Sequence, residues 1–383
     1  MKTAIVTFVR AYNFGAVLQC YALQEAMRSV GINTEVLDYY PEYFYRDYRL
    51  LDTANKSTVG RIIRHIMRFL TKGVINRRIK SFESFIASYI RLSEKQYRNG
   101  TEIEMNPPDY DAYVVGSDQV WNQGVTGFDH VFFLGNKAIS GKKRFSYAAS
   151  FGDRNISVQQ KEQYANLLEG WDGYSVREQS GAQLLNELVG EEVKTSCDPT
   201  LLLSSSSWRK LSTSNIVNTP FILVYNVQSY ELNNLLQKAE ILKKKTGLNV
   251  IVLTNATHGN QLLGINARLK GFKYMPDVGP ETFLSYFRDA KYVISDSFHG
   301  TAFSLLFHKQ FYTVLQFSNG KSNTRAKELL QKVELNARTD NIEDIDREIK
   351  WDTVDQKIEA MRKEAYAYLQ TIASVVNSKD MRF

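Results

Sequence analysis

Cysteine is scarce in this sequence. The two present, Cys20 and Cys197, lie far apart and offer neither a metal-ligand spacing nor a disulfide framework. That usage suits a reducing cytosol, and the protein is expected to be cytoplasmic. There is no cysteine cluster and no His-x-x-x-His pair, so no metal is expected. No stretch approaches the roughly 18–20 apolar residues of a membrane span. The opening Met1-Lys2-Thr3-Ala4-Ile5-Val6-Thr7 turns polar too soon for a signal peptide and reads as a first strand. Low-complexity tracts and short-period repeats are also missing.

What is present describes an ordinary globular chain, 43% apolar and 23% charged over 383 residues. Single cores stop growing at roughly 250–300 residues, so two domains are expected. The net charge of +7 would suit an anionic substrate, an anionic membrane surface or simple solubility.

Strand and helix signals alternate through the first half. Residues 3–9 and 33–39 are β-rich, and residues 16–30 between them have helical spacing. That βαβ unit implies a parallel sheet with right-handed crossovers. Residues 42–105 interrupt the rhythm with apolar residues at helical spacing, split into segments 60–70 and 74–90. Arg61, Arg64, Arg68, Lys72, Arg77, Arg78 and Lys80 fill much of the other face, and no acid occurs between Thr53 and Phe82. The alternation resumes at strand 112–115. After a serine-rich stretch it starts again at Pro220, giving a second doubly wound unit. The reading is an N-terminal Rossmann-like domain over 1–215 carrying the insertion 42–105. A C-terminal one follows over 216–345, then a terminal helix within 346–383 that would pack back on the first domain.

Ligands of open parallel sheets bind beyond the carboxyl ends of the strands, so the loops there are the candidates. Asn13-Phe14-Gly15 opens the first helix and could admit an anion or a sugar to backbone N–H groups, or be a plain tight turn. Gly116-Ser117-Asp118-Gln119-Val120-Trp121-Asn122 clusters polar groups with a tryptophan, either a sugar platform or a loop whose tryptophan plugs the core. Arg177 leaves a strand at a helix start, as an anion clamp or as half of a structural Arg–Asp pair. Ser295-Asp296-Ser297-Phe298-His299-Gly300-Thr301 is an apolar strand, a polar turn and a histidine before a helix, with Gly300 expected to open it. His299 is suited to proton donation or anion binding. The other histidines, His65, His130, His258 and His308, read as packing residues. Arg325 follows the next strand and could reach the same crevice.

These stretches together resemble the polysaccharide pyruvyl transferases, in the branch with an Asn-Phe-Gly-Ala-x-Leu-Gln element, here Asn13 to Gln19. The motif around Asp118, Tyr147-Ala148-Ala149-Ser150-Phe151-Gly152, Ser175-Val176-Arg177-Glu178, Asp198-Pro199-Thr200-Leu201 and the 295–300 turn follow in order. The resemblance implies two Rossmann-like domains facing a cleft, similar to the two-domain glycosyltransferase (GT-B) architecture. It implies transfer of pyruvate from phosphoenolpyruvate to sugar hydroxyls as a ketal, in capsular or exopolysaccharide synthesis. No cofactor is implied, with phosphoenolpyruvate as co-substrate and a sugar or lipid-linked oligosaccharide as acceptor. His299 is then the proton donor. Arg177, Arg325, Ser297, Gly300 and Thr301 face the donor, and Asn13, Phe14, Gly15, Asp118, Gln119 and Trp121 face the acceptor. Ser297 stands where other branches carry Arg, so an anion contact comes from elsewhere or the donor differs.

Two other functions are compatible with the pattern. One is a glycosyltransferase using a nucleotide sugar, with Glu281 as the ribose carboxylate. The other is a non-catalytic membrane-surface protein. Nucleic acid is not expected as a partner, because the cations sit in one insertion without interleaved aromatics. The basic stretch at about 60–80 would either dock on the inner membrane face or pack on its own domain with a solvated basic side.

Overall fold

The computed structural model describes residues 1–44, 58–152, 156–214, 216–255, 263–317, 323–339 and 341–378, with backbone only for 58–68, 70, 263, 337 and 339. The chain divides into two compact units. The first comprises residues 1–44, 86–203 and 358–383, and the second residues 45–85 and 204–357.

The first unit holds a five-stranded sheet of β1 (Lys2–Val6), β2 (Asn33–Tyr39), β3 (Leu92–Tyr97), β4 (Ala112–Val115) and β5 (Lys143–Ser146) in the order β3-β2-β1-β4-β5. Every pairing is parallel. Near-continuous burial along β1, β2 and β4 fits strands covered on both faces. A short parallel pair, β6 (Ser175–Val176) and β7 (Lys194–Thr195), extends it through bridges at Gly173 and Val176.

The second unit repeats the plan with β8 (Phe221–Asn226), β9 (Asn249–Thr254), β10 (Lys273–Tyr274), β11 (Tyr292–Ser295) and β12 (Gln310–Thr313), in the order β10-β9-β8-β11-β12, again all parallel. In both units the order reverses beside the first strand, between β1 and β4 and between β8 and β11. Such a switch point opens a crevice at the strand ends.

The boundaries differ from the sequence reading. The two helical segments expected in the insertion form one helix, Thr58–Tyr89, followed by β3, which belongs to the sheet, and by a short helix, Gly100–Met105. The long helix is divided between the units. Arg77 pairs with Asp277 and Arg78 donates to the Val278 carbonyl in the second unit, while the Gln24 amide bonds the Tyr89 carbonyl in the first. Residues 204–214 group with the second unit because Trp208 is fully buried there, edge-on to Phe303. Of the final helix, Trp351–Asn377, the part from Ile358 groups with the first unit, where Tyr368 donates to the Ser146 carbonyl.

Cys20 and Cys197 are buried and not joined in a disulfide. Among the described residues no helix is long and apolar enough to cross a membrane, and no group of three or more His, Cys, Asp or Glu is placed to hold a metal ion.

Candidate active site

The proposed donor residues of the second unit gather at its switch point. Asp296, directly after β11, accepts from the Asn226 amide at 2.8 Å and from the N–H groups of Val227 and Gln228 at 2.8 and 2.9 Å. It thereby ties the loop after β8 to the loop after β11. Its backbone carbonyl accepts from the Asn323 amide at 3.0 Å, and Asn323 caps the helix Thr324–Lys332, in which Arg325 is the second residue. Arg325, half-buried, lies two residues beyond the asparagine that binds this turn. Burial pushes the Asp296 carboxyl up to about 7, against the Val227 and Gln228 N–H groups, which favour its charged form.

The histidine helix starts earlier than expected. It spans Phe298–Leu306 with Ser297 as its N-cap, so His299 is its second residue and not a residue of the preceding turn. A polar loop residue with extended backbone suffices to start the helix there, and Gly300 serves a different end. A Cβ on Gly300 would lie 2.2 Å from Ser295 Oγ, which itself bonds the Tyr225 carbonyl at 2.7 Å. Glycine is required for the helix to approach β11 this closely. His299 is 6% exposed, with its ring edge-on to Phe298. Thr301 bonds the Ser297 carbonyl and Thr313 and is buried. It therefore ties the helix to β12.

In the first unit several proposed ligand contacts are structural. Asn13 caps the helix Phe14–Ser29 by accepting from Gly15 and Ala16 N–H, and Phe14 and Gly15 are buried in it. Trp121 is wholly buried, donates to the Phe132 carbonyl at 2.9 Å and packs on Phe133, Phe151 and Trp171. It plugs the core and cannot serve as a sugar platform. Arg177 is 5% exposed and gripped by Glu178 at 2.9 Å, Asp198 at 2.6 Å and Asp118 at 3.7 Å. Burial opposes its charge, but the carboxylates of Glu178, Asp198 and Asp118 outweigh burial and raise its pKa. The structural-pair alternative holds, and its charge is not on offer to a substrate anion. Gln119 remains half-buried, bonded to Asn122 at 2.7 Å.

The 116–122 loop itself depends on Gly116. Its φ is +130°, and a Cβ there would meet the Tyr147 carbonyl at 2.1 Å. Gln19 then spans the first switch point, donating to Thr7 Oγ1 at 2.9 Å and accepting from Ser117 N–H at 3.1 Å.

Sequence reasoning gave no role to Asn226 and Asn323, whose one signal was position, at a strand end and at a helix N-cap beside the switch point. Gln19 entered it only as the last residue of the Asn13–Gln19 element, without a role of its own. His130 and His308 are exposed, contrary to the packing reading, and His308 stacks on Trp351 and pairs with Asp355. His258 and the side chains of His65, Arg61, Arg64 and Arg68 lie outside the described residues. Of the described cations in the insertion, Arg78 is buried, whereas Lys72, Arg77 and Lys80 are exposed, Arg77 pairing with Asp277. Glu281 lies in the first turn of the helix Pro280–Asp289, half-buried, and burial raises its pKa.

Two doubly wound units with polar strand-end loops define a GT-B-like enzyme fold. Solved structures agree over nearly the whole chain. The S. aureus MnaA–UDP structure is 11% identical, with 98% of this chain and 97% of that one covered at a TM-score of 0.53. Anabaena Alr3699/HepE in complex with UDP is 12% identical, with coverage of 98% and 99% and a TM-score of 0.52. Methanocaldococcus jannaschii UDP-GlcNAc 2-epimerase in complex with UDP-GlcNAc and UDP is 13% identical, with coverage of 98% and 100% and a TM-score of 0.51. At such identity they establish the fold alone. No curated protein matches the chain. The family is given by the model for polysaccharide pyruvyl transferase, which matches residues 13–316, and the chain belongs to that family of enzymes.

Proposed function

We propose that the protein transfers the pyruvyl group of phosphoenolpyruvate to two hydroxyls of a sugar as a ketal, in the cytoplasm, during capsular or exopolysaccharide synthesis. The observation that carries this reading is His299, held in the first turn of a helix at the second switch point, with the Arg325 helix fastened to the same turn through Asn323 and Asp296. His299 gives a proton to the methylene carbon of the enol phosphate. The adjacent carbon becomes cationic and one sugar hydroxyl attacks it. Phosphate leaves, a second hydroxyl adds at the same carbon, and each hydroxyl releases its proton as the ketal closes. Arg325 balances the phosphate or carboxylate charge in place of the arginine that Ser297 lacks. The first-turn N–H groups of the helix add donors. Arg177 holds Asp118 and Asp198 and so shapes the acceptor side without touching the donor.

Labelled phosphoenolpyruvate incubated with lipid-linked oligosaccharides tests the reaction, through phosphate release and the mass gain of a ketal. Thermal shift against phosphoenolpyruvate and a panel of nucleotide sugars separates it from glycosyl transfer. Stabilisation by nucleotide sugars alone would overturn it. Peripheral contact with an anionic membrane through residues 60–80 would rest on Phe69, 81% exposed, near the exposed Lys72. Equal flotation with neutral and anionic liposomes would sink that contact.

A further inference from the structure

With Trp121 in the core, Asn13 used as a cap and Asp118 turned to Arg177, the acceptor needs another surface in the first unit. A cleft of about 190 Å³ opens between the loop carrying Phe151 and Gly152 and the segment Glu178 to Glu187. That is below the roughly 300–1,000 Å³ of sites for drug-sized ligands, and it has room for one ring. Phe151 and Leu184 give the cleft an apolar side, and Glu178, Ser180 and Gln183 give it hydrogen-bonding groups. Its charges are balanced within the protein. Lys161 pairs with Glu187 at 2.9 Å and Glu178 with Arg177 at 2.9 Å. There is no cationic excess to select a phosphate. The Gln119–Asn122 pair packs against Gly152, where a Cβ would lie 2.5 Å from Gln119 Oε1 and 2.2 Å from Asn122 Nδ2. Two of the sequence motifs, 147–152 and 175–181, thus line this one cleft.

We infer that this cleft is a monosaccharide subsite for an uncharged pyranose, its C–H face on Leu184 and Phe151 and its hydroxyls on Glu178, Ser180 and Gln183. The choice of a sugar as occupant rests on the pyruvyl-transfer reading. Leu184 is half-buried and Gln183 exposed, so both can be replaced without opening the core.

The test is saturation-transfer NMR on the full chain with methyl β-D-galactopyranoside and methyl α-D-mannopyranoside as probes. Wild type is expected to transfer saturation to the ring protons of at least one probe. Leu184→Trp, which fills the cleft, is expected to abolish that transfer. Gln183→Ala is expected to weaken apparent affinity about two- to tenfold, the range of one net hydrogen bond. The shift in melting temperature with phosphoenolpyruvate is followed in parallel and should be the same in Leu184→Trp as in wild type. If Leu184→Trp fails to fold, Gln183→Ala and Ser180→Ala decide, each expected to lower probe affinity. Absent transfer in wild type, or transfer unchanged in the variants, overturns the subsite. Sugar binding at the cleft without any effect of phosphoenolpyruvate would instead sink the donor assignment and leave the subsite standing.

Discussion

In the first unit the loops across the switch point are joined by a neutral amide, Gln19, between Thr7 and Ser117. In the second the corresponding join is a carboxylate, Asp296, gathering one side-chain amide and two backbone N–H groups. The cations differ in the same way. Arg177 of the first unit is enclosed by three acids, whereas Arg325 of the second starts a helix and is half-buried. One strand order therefore supports two electrostatic designs. The first spends its charge on holding loops. The second carries its histidine and its arginine on two helices that start around an acid held in place by neutral donors.

The sharpest way to break this contrast is at the two units' key residues. His299→Ala is expected to lower the turnover number about 10²- to 10⁴-fold, the usual worth of a general acid. Its melting temperature should stay near that of wild type, and retained turnover would remove His299 from the role of acid. Arg177→Met is expected to act on folding, at about 3–5 kcal/mol in urea denaturation, because it strands buried carboxylates without their cation. Arg325→Ala is expected to cost less stability than Arg177→Met and to weaken phosphoenolpyruvate binding about 10- to 100-fold, measured by titration. If the two arginine variants exchanged phenotypes, the contrast would be reversed.

A smaller effect concerns pH. The folded carboxyl of Asp296 titrates at about 7, above its ordinary 3.8, chiefly through burial. Between those values the folded state holds a proton that the unfolded state has lost. The stability this contributes is full below about 4 and is lost as pH rises through 7. The melting temperature of wild type relative to Asp296→Asn should therefore fall from pH 5 to pH 8. A flat difference would mean that the N–H donors outweigh burial.

The sequence made the central strands legible, because β1, β4, β8 and β11 are short apolar runs ended by polar residues. It hid β3, whose Leu-Ser-Glu-Lys-Gln-Tyr is that of a charged edge strand. The break expected near Gly73 did not occur. A glycine inside a helix costs only about 1 kcal/mol, and neighbours such as Ile75 and Phe82 are buried in the second unit. The 295–300 turn was legible as a candidate site because strand, polar turn and helix follow one another in the chain. The roles of Trp121 and Arg177 were open, since what surrounds them comes from residues far away in sequence. Phe133 and Trp171 enclose the indole, and Asp118 and Asp198 the guanidinium.

At Ser297 the hydrogen bonds run through the main chain. Its N–H reaches Ser295 Oγ and its carbonyl receives Thr301. The Ser297 side chain takes no part in capping the helix and is buried, 7% exposed. The shape of the turn is therefore encoded in the main chain and in the Ser295 hydroxyl, and the start of the helix that carries His299 does not depend on a hydroxyl at position 297.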